Sequence, residues 1–405
     1  MTRCPVPTPD DVDEWVGEHL LELSCDSEVL RSERFAGTQE AAAAALASLD
    51  IAGYARRRNE VLPESRRGAT ALSPYIRHGL LSLPLVSEAV ADAPSKDRRK
   101  FRDELMWQEY ARHVYARLGD RTSDALRFEP GRGPEDLDAS GTWDRSMACI
   151  DATVGELERD GWLVNQTRMW LASHWTVRHG ADWRDGEDRF FTHLLDGSRA
   201  ANRLGWQWTI GAGTGKPYGF SRWQVEKRAP ELCAGCARRD DCPIEDWPDE
   251  RPLAEVDDDQ LLDHDPDPAA TAGPVDAVTT GDADVVWLTA ESLGDNDPAL
   301  AAHPELPVVF VFDRPLLARL QLSTKRLVFL AERLAELAES RSIEVHLGDP
   351  AAVLTGRALA TTFTPVPKGR RLRAELDVAD LRPWPWLRPP NDGSIRSFSA
   401  WRRSR

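Results

Sequence analysis

The chain has 405 residues, of which 41% are hydrophobic and 29% charged, and its formal net charge is −16. That length accommodates two ordinary domains with cores of their own. No apolar run approaches the roughly 18 residues that span a bilayer, and the start MTRCPVPTPDDVDEW lacks the basic and apolar blocks of a secretory leader, so a cytoplasmic protein without a membrane partner is expected. The acid is unevenly placed. Ile51 to Glu245 carries 30 Lys and Arg against 29 Asp and Glu, which leaves that stretch open to a nucleic-acid partner.

Residues 1–35 read as a polar lead-in with one amphipathic piece, Val12 to Leu23. From Gly37 to Pro63 the sequence is Ala-rich and helical, stopped by its proline. Gly68-Ala69-Thr70-Ala71-Leu72-Ser73 opens a helix, where hydroxyls and amides at the positive end either cap it or take a phosphate. Phe101 to Leu118 is a further helix, and the Gly-, Pro- and acid-rich stretch Asp120 to Gly141 is a loop. Gly161 to His179 is dense in Trp and Arg. With Leu163, Met169, Trp170 and Leu171 at helical spacing it predicts a buried or half-buried helix, which taken alone is ordinary aromatic packing.

Residues 246–268, DWPDERPLAEVDDDQLLDHDPDP, hold ten acids and one Arg and predict a solvated linker. Beyond it DVVWLTA, PVVFVFD and IEVHLGDP predict buried parallel strands, with an amphipathic helix over Ser323 to Ser340. Alternation of strand and helix means α/β. The predicted fold is therefore mainly α: a lead-in (1–35), a helical domain (36–247), an acidic linker (248–275) and a small α/β, Rossmann-like domain with a parallel sheet and a tail (276–405).

Of six cysteines, Cys233, Cys236 and Cys242 stand in LCAGCARRDDCP, a C-x2-C-x5-C spacing suited to a metal. Three thiolates need a fourth ligand, and zinc is the usual occupant of such a group. Cys4 and Cys25 read as free thiols.

Four segments in succession, GW-x-x-N-x-x-R-M, DWR-x-GE, L-x-DG-x-x-AAN and GWQW, fall between Gly161 and Trp208. In order and spacing they resemble the flavin-binding domain of the DNA photolyase/cryptochrome family. The resemblance implies FAD, with Tyr54, Thr70 and Ser73 contacting the cofactor, Arg168 and Asp196 forming an ion pair over its ring, and Asn202 facing N5. Where the family has a second acid two residues after the first, this chain has Ser198. Trp206 and Trp183 match the inner members of the family's electron-carrying tryptophan chain; Trp143 and Trp175 are candidates for the outer one.

ELMWQEY is similar to the family's ELxWREF. Glu104 and Trp107, with Asn165, Met169 and Trp208, would then form the catalytic pocket for a dimer flipped out of damaged DNA. Val164-Asn165, in place of the His pair of (6-4) enzymes, favours cyclobutane pyrimidine dimers. The activity implied is that of a light-driven carbon–carbon lyase; the alternative is a blue-light photoreceptor without repair. An iron–sulfur branch of the family carries one upstream Cys and a downstream C-x2-C…C-P group, so Cys149 with Cys233, Cys236 and Cys242 would hold a 4Fe–4S cluster, zinc being the alternative. The α/β half resembles the family's antenna domain, but follows the helical domain instead of preceding it. Its turn Thr289-Ala290-Glu291-Ser292 lacks the family's arginine, which argues against an antenna chromophore. A monomer is expected.

Overall fold

Caps and glycine stops lay out the helical half. The computed structural model describes residues 2–130, 143–248, 252–257 and 259–404. After helix α1 (Val12–His19) and the helices Gln39–Ala47 and Tyr54–Arg57 comes α2 (Ser73–Arg77), with a proline in its first turn, and after Leu83–Ala89 comes α3 (Ser95–Leu118). Asp97 in the first turn of α3 accepts from the N–H groups of Gly53 and Ala55 at 3.0 and 2.8 Å, which ties the preceding turn to it. α4 (Ala148–Asp160) stops at Gly161, whose φ of 65° suits a residue without a Cβ. That stop corrects the expectation of a helix starting at Gly161. The chain first runs out of helical geometry, and α5 (Asn165–Ala172) begins four residues later and continues into a wider π-helical turn, Ser173–Arg178.

α6 (Trp183–His193) is capped by Asp182, and Ser198 Oγ accepts from the N–H of Ala200 and Ala201 at the start of α7 (Ala201–Thr209). Of the loop expected over Asp120 to Gly141, the first part holds a 3-10 turn, Gly119–Ser123, and a two-residue strand, Phe128–Glu129. Its remainder, 131–141, lies outside the described residues.

Strands β1 (Thr2–Cys4), β2 (Val278–Thr279), β3 (Val285–Leu288), β4 (Val308–Asp313), β5 (Ile343–Gly348), β6 (Leu359–Thr362) and β7 (Val378–Arg382) form one sheet in the order β1-β5-β4-β3-β6-β7-β2. β3 to β7 are parallel, as the apolar runs predict, and β1 and β2 close the edges antiparallel. Helix α8 (Thr324–Ala338) joins β4 to β5 after a short helical turn.

Two segments behave differently from their composition. The lead-in belongs to the sheet: Thr2, Arg3 and Cys4 pair with Leu347, His346 and Val345, and α1 packs on α8. Its apolar residues, Cys4, Val12, Trp15 and Val16, are too few to make a core and are buried in that of the α/β half. The acidic segment is also docked. Ala254–Glu255 pairs with Phe128–Glu129, Leu262 is buried beside Tyr110, and Asp265 forms a buried ion pair with Arg117 at 3.2 Å. One buried apolar residue, one buried ion pair and a short strand pairing decide its course against the solvated carboxylates around them.

The two halves share one apolar core. Tyr75, Ile76, Leu80, Trp162 and Leu195 are buried together with Val286, Phe310 and Phe329. The His78 ring nitrogens bridge the junction, 2.7 Å from Ala290 O and 3.0 Å from Leu195 O. After β7 the chain crosses the outer side of α3: Arg388 N–H donates to Glu109 Oε1 (2.7 Å), Arg117 donates to Gly393 O (2.8 Å), and Tyr110 donates to Ile395 O (2.7 Å). It ends in α9 (Phe398–Arg403). Among the described residues no helix is long and apolar enough to cross a membrane.

Candidate functional site

The faces of α2, α3, α5 and α7 that turn toward one another enclose a cleft of about 560 Å³. Tyr54, Thr70, Ser73, Glu104, Trp107, Asn165, Arg168, Met169, Asp196, Asn202, Trp206 and Trp208 all line it. Residues as far apart in the chain as Tyr54 and Trp208 thus meet in one place. Trp183 does not reach the cleft.

At the Gly68 turn the backbone is held tightly. A Cβ on Gly68 would stand 2.8 Å from the Arg57 carbonyl carbon, so only glycine lets this loop lie on the Tyr54–Arg57 turn. Ala71 has φ of 56°, a left-handed conformation costing an alanine about 1–2 kcal/mol. Ser73 Oγ accepts from Trp162 Nε1 at 3.0 Å, and Tyr54 stands edge-on to Phe101, ring centroids 5.1 Å apart.

The buried part of the lining is polar and ordered. Arg168 makes a two-pronged pair with Asp196, Nη1 to Oδ1 at 3.1 Å and Nη2 to Oδ2 at 2.7 Å, and its Nε donates to Leu163 O. Such a fork fixes the guanidinium plane. Asn202 is buried, yet its Nδ2 has no hydrogen-bond partner among the described residues. A buried amide left this way calls for a ligand. Gly205, one turn along α7, also lines the cleft, and a Cβ there would enter open space, so the cleft keeps a flat floor at that point.

The exposed part is aromatic. Trp107 and Trp208 are 37% and 41% exposed, unusual for indoles. Between them in sequence stands Asn165 at the start of α5, and Met169 is one turn further. Glu104 is held by Lys100 at 2.7 Å and Arg58 at 3.2 Å.

Among the other tryptophans, Trp206 meets Phe190 (5.2 Å), Phe190 meets Trp143 (5.8 Å), and Trp143 meets Trp175 (5.0 Å). Trp143 and Trp175 are each 5% exposed, so neither is the surface ring that an outer chain member has to be.

A second, small cavity is lined by Cys149, Cys233, Cys236 and Cys242 together with Met147, Arg222, Arg238 and Arg239. The upstream cysteine on α4 and the downstream group therefore converge. Burial, reinforced by the other three sulfurs, pushes the Cys149 thiol up to about 12, and burial pushes that of Cys233 up to about 11. Among the described residues no three His, Cys, Asp or Glu side chains are grouped to hold a single metal ion.

Sequence reasoning missed Arg77, Gln108 and Arg112, which also line the cleft. Arg77 is fixed by Glu291 and Gly197 O, and Arg112 donates to Ile76 O while lying over the Trp384 ring. Their partners come from segments far away in the chain, so no local pattern announces them.

With that geometry in view, the comparisons with known proteins are specific. Residues 101–228 match the family described as the FAD binding domain of DNA photolyase. The deoxyribodipyrimidine photo-lyase of Vibrio cholerae is 32% identical over 166 residues, which cover 38% of this chain and 35% of that one. A photo-lyase of Thermus thermophilus is 32% identical over 167 residues, covering 40% and 39%. A solved class III photolyase from Agrobacterium tumefaciens overlays with a TM-score of 0.40 at 25% identity, over 56% of this chain and 46% of that one. The matched residues take in most of α3 and all of α4 to α7, which build much of the cleft. That segment is similar to the DNA photolyase family, and the chain spans between a third and two fifths of the length of these curated relatives.

Proposed function

We propose that the protein is a light-driven DNA repair flavoprotein that splits cyclobutane pyrimidine dimers. One observation carries this: two half-exposed tryptophans share a cleft with a buried Arg–Asp pair and a buried amide that lacks a partner among the described residues. When bound, reduced FAD supplies under blue light the electron that opens the cyclobutane ring and takes it back.

The chain's own residues hold and orient. Tyr54, Thr70 and Ser73 would grip the dinucleotide. Arg168, locked by Asp196, places positive charge beside the ring and favours its anionic reduced form, and Asn202 offers its amide to N5. Trp107 and Trp208 would stack on the flipped bases. Each such stack is worth about 1–3 kcal/mol, which offsets the few kcal/mol lost on unstacking. Glu104, held between Lys100 and Arg58, would accept from a pyrimidine N–H, Asn165 would bond the base edge, and Met169 would pack beneath it.

The four cysteines would hold a 4Fe–4S cluster. The four sulfurs line one small cavity, which suits such a cluster, with a tetrahedral zinc as the alternative occupant. The Ala148 N–H lies 3.4 Å from Cys236 Sγ, and three arginines line the cavity, as suits an anionic cluster. We read the α/β half as a relative of the family's antenna domain placed after the flavin domain. Its Thr289–Ser292 turn serves as a docking surface, through Ala290 on His78 and Glu291 on Arg77.

The first test is the absorption spectrum of anaerobically purified protein, before and after blue light with a thiol reductant, followed by repair of an oligonucleotide carrying one dimer. Flavin bands, photoreduction and repair are expected, with Asn165→Ala binding the dimer about tenfold more weakly. Photoreduction without repair would move the protein to the photoreceptor class; absence of flavin would end both readings. Cys149→Ser should lose iron and sulfide and melt at lower temperature. Zinc recovered in equal amount to protein would replace the cluster.

A further inference from the structure

We propose that Phe398, on the C-terminal helix, is a positioning residue for the lesion-binding wall, holding the Trp107 ring in the orientation in which a base stacks on it. The proposal rests on the reading of the cleft given above and adds to it a residue far outside the flavin domain.

Phe398 lies parallel to Trp107, ring centroids 4.1 Å apart and planes 12° apart. It is the flattest pair of rings in the molecule among the described residues. Trp107 lines the cleft and Phe398 does not. One face of the indole is therefore covered by Phe398, and the rest of the ring is left to the cleft. Tyr110, one turn along α3, meets both rings edge-on, at 5.6 Å to Trp107 and 5.8 Å to Phe398. Trp208 also leans on another ring, that of Tyr218, but at 5.7 Å and tilted by 35°.

Phe398 is partly buried, and its neighbours anchor the helix that carries it. Ser397 Oγ caps its helix by accepting from Ala400 N–H at 3.1 Å. Trp401, one turn on, is 1% exposed and packs on Tyr110 and His113. Tyr110 donates to Ile395 O at 2.7 Å, and Arg402 pairs with Asp103 at 2.8 Å. Residues 395 to 402 are thus fastened along the same helix that carries Glu104 and Trp107.

An indole on the outside of a helix would otherwise move among rotamers and would have to be ordered when a base arrives. Fixing it beforehand removes that cost, which for one large side chain corresponds to about three- to tenfold in affinity. The effect belongs to binding and not to the chemistry, since Phe398 touches neither the cleft nor its contents.

The test uses full-length Phe398→Leu, which keeps apolar volume but has no flat face, with Phe398→Tyr as the conservative control. Flavin content, thermal melting, dark binding of a single-dimer oligonucleotide and repair at saturation are measured in each, alongside Trp107→Ala. Phe398→Leu is expected to weaken dimer binding about three- to tenfold with flavin content and saturated repair unchanged. Phe398→Tyr should bind within about twofold of the parent, and Phe398→Leu should add nothing in a Trp107→Ala background. Unchanged binding in Phe398→Leu while Trp107→Ala fails to bind would overturn the proposal. Tighter binding in Phe398→Leu would make α9 a cover over the cleft and overturn it too, as would loss of flavin in step with loss of binding. If Trp107→Ala itself binds the dimer like the parent, the repair reading of the cleft fails instead.

Discussion

Glu109 shows what a single buried side chain does to stability. It sits on α3 under the C-terminal segment, with one oxygen accepting from Arg388 N–H and the other without a partner among the described residues. Burial pushes its carboxyl up to about 7, against the bond from Arg388 and the nearby charge of Arg112. The folded protein therefore holds this proton where an unfolded chain, titrating at about 4.3, has lost it. The sign follows: between those two values stability falls as pH rises, and above about 7 a charge stays buried. Glu109→Gln is expected to melt above the parent at pH 8, with the gap closing by pH 5. Nothing near Glu109 in sequence marks it out, because the strand of chain that buries it lies 279 positions away. Arg168, Asp196 and Asn202 were legible for the opposite reason. They fall within short motifs of one continuous stretch, and the structure brings all three to the same cleft.

At the scale of an element, α6 and α7 approach through Gly186. A Cβ there would overlap the six-membered ring of Trp206 and stand 3.0 Å from Trp175 Cδ1. Trp206 is fully buried and borders the cleft, so the one direction open to it is the cleft itself. Gly186→Ala is expected to lose about 1–3 kcal/mol in denaturant unfolding and to lower flavin retention, because the displaced indole moves into the cleft. The strands of the sheet and helix α8 could be read directly from apolar runs and amphipathic period. Helix α5 could be read in kind but not in its start, since Gly161 looks like any small residue in a helical run until its left-handed φ is seen.

For the whole molecule, the division into separate domains was the part least legible. Composition separates a polar lead-in, an acidic linker and a tail, yet each is fastened to another half by a few contacts: three backbone pairs for β1, one buried ion pair for Asp265, and a run of aromatic rings for the tail. A fragment of residues 36–247 would expose Tyr75, Ile76, Leu80, Trp162 and Leu195. It is expected in the insoluble fraction when expressed alone, and soluble yield against the full chain measures this. Recovery of soluble, flavin-bearing 36–247 would show that the shared core is dispensable.

The pairing of Thr2 with Leu347 has a consequence for how the protein is made. At about 5–20 residues per second, a ribosome releases the first strand and α1 roughly 20–70 s before the strand that receives them. For most of that interval the helical half is still being made, and β1 has no strand to pair with. Residues 388–402, made later still, lie against α3. The helical half therefore waits on segments synthesised well after it.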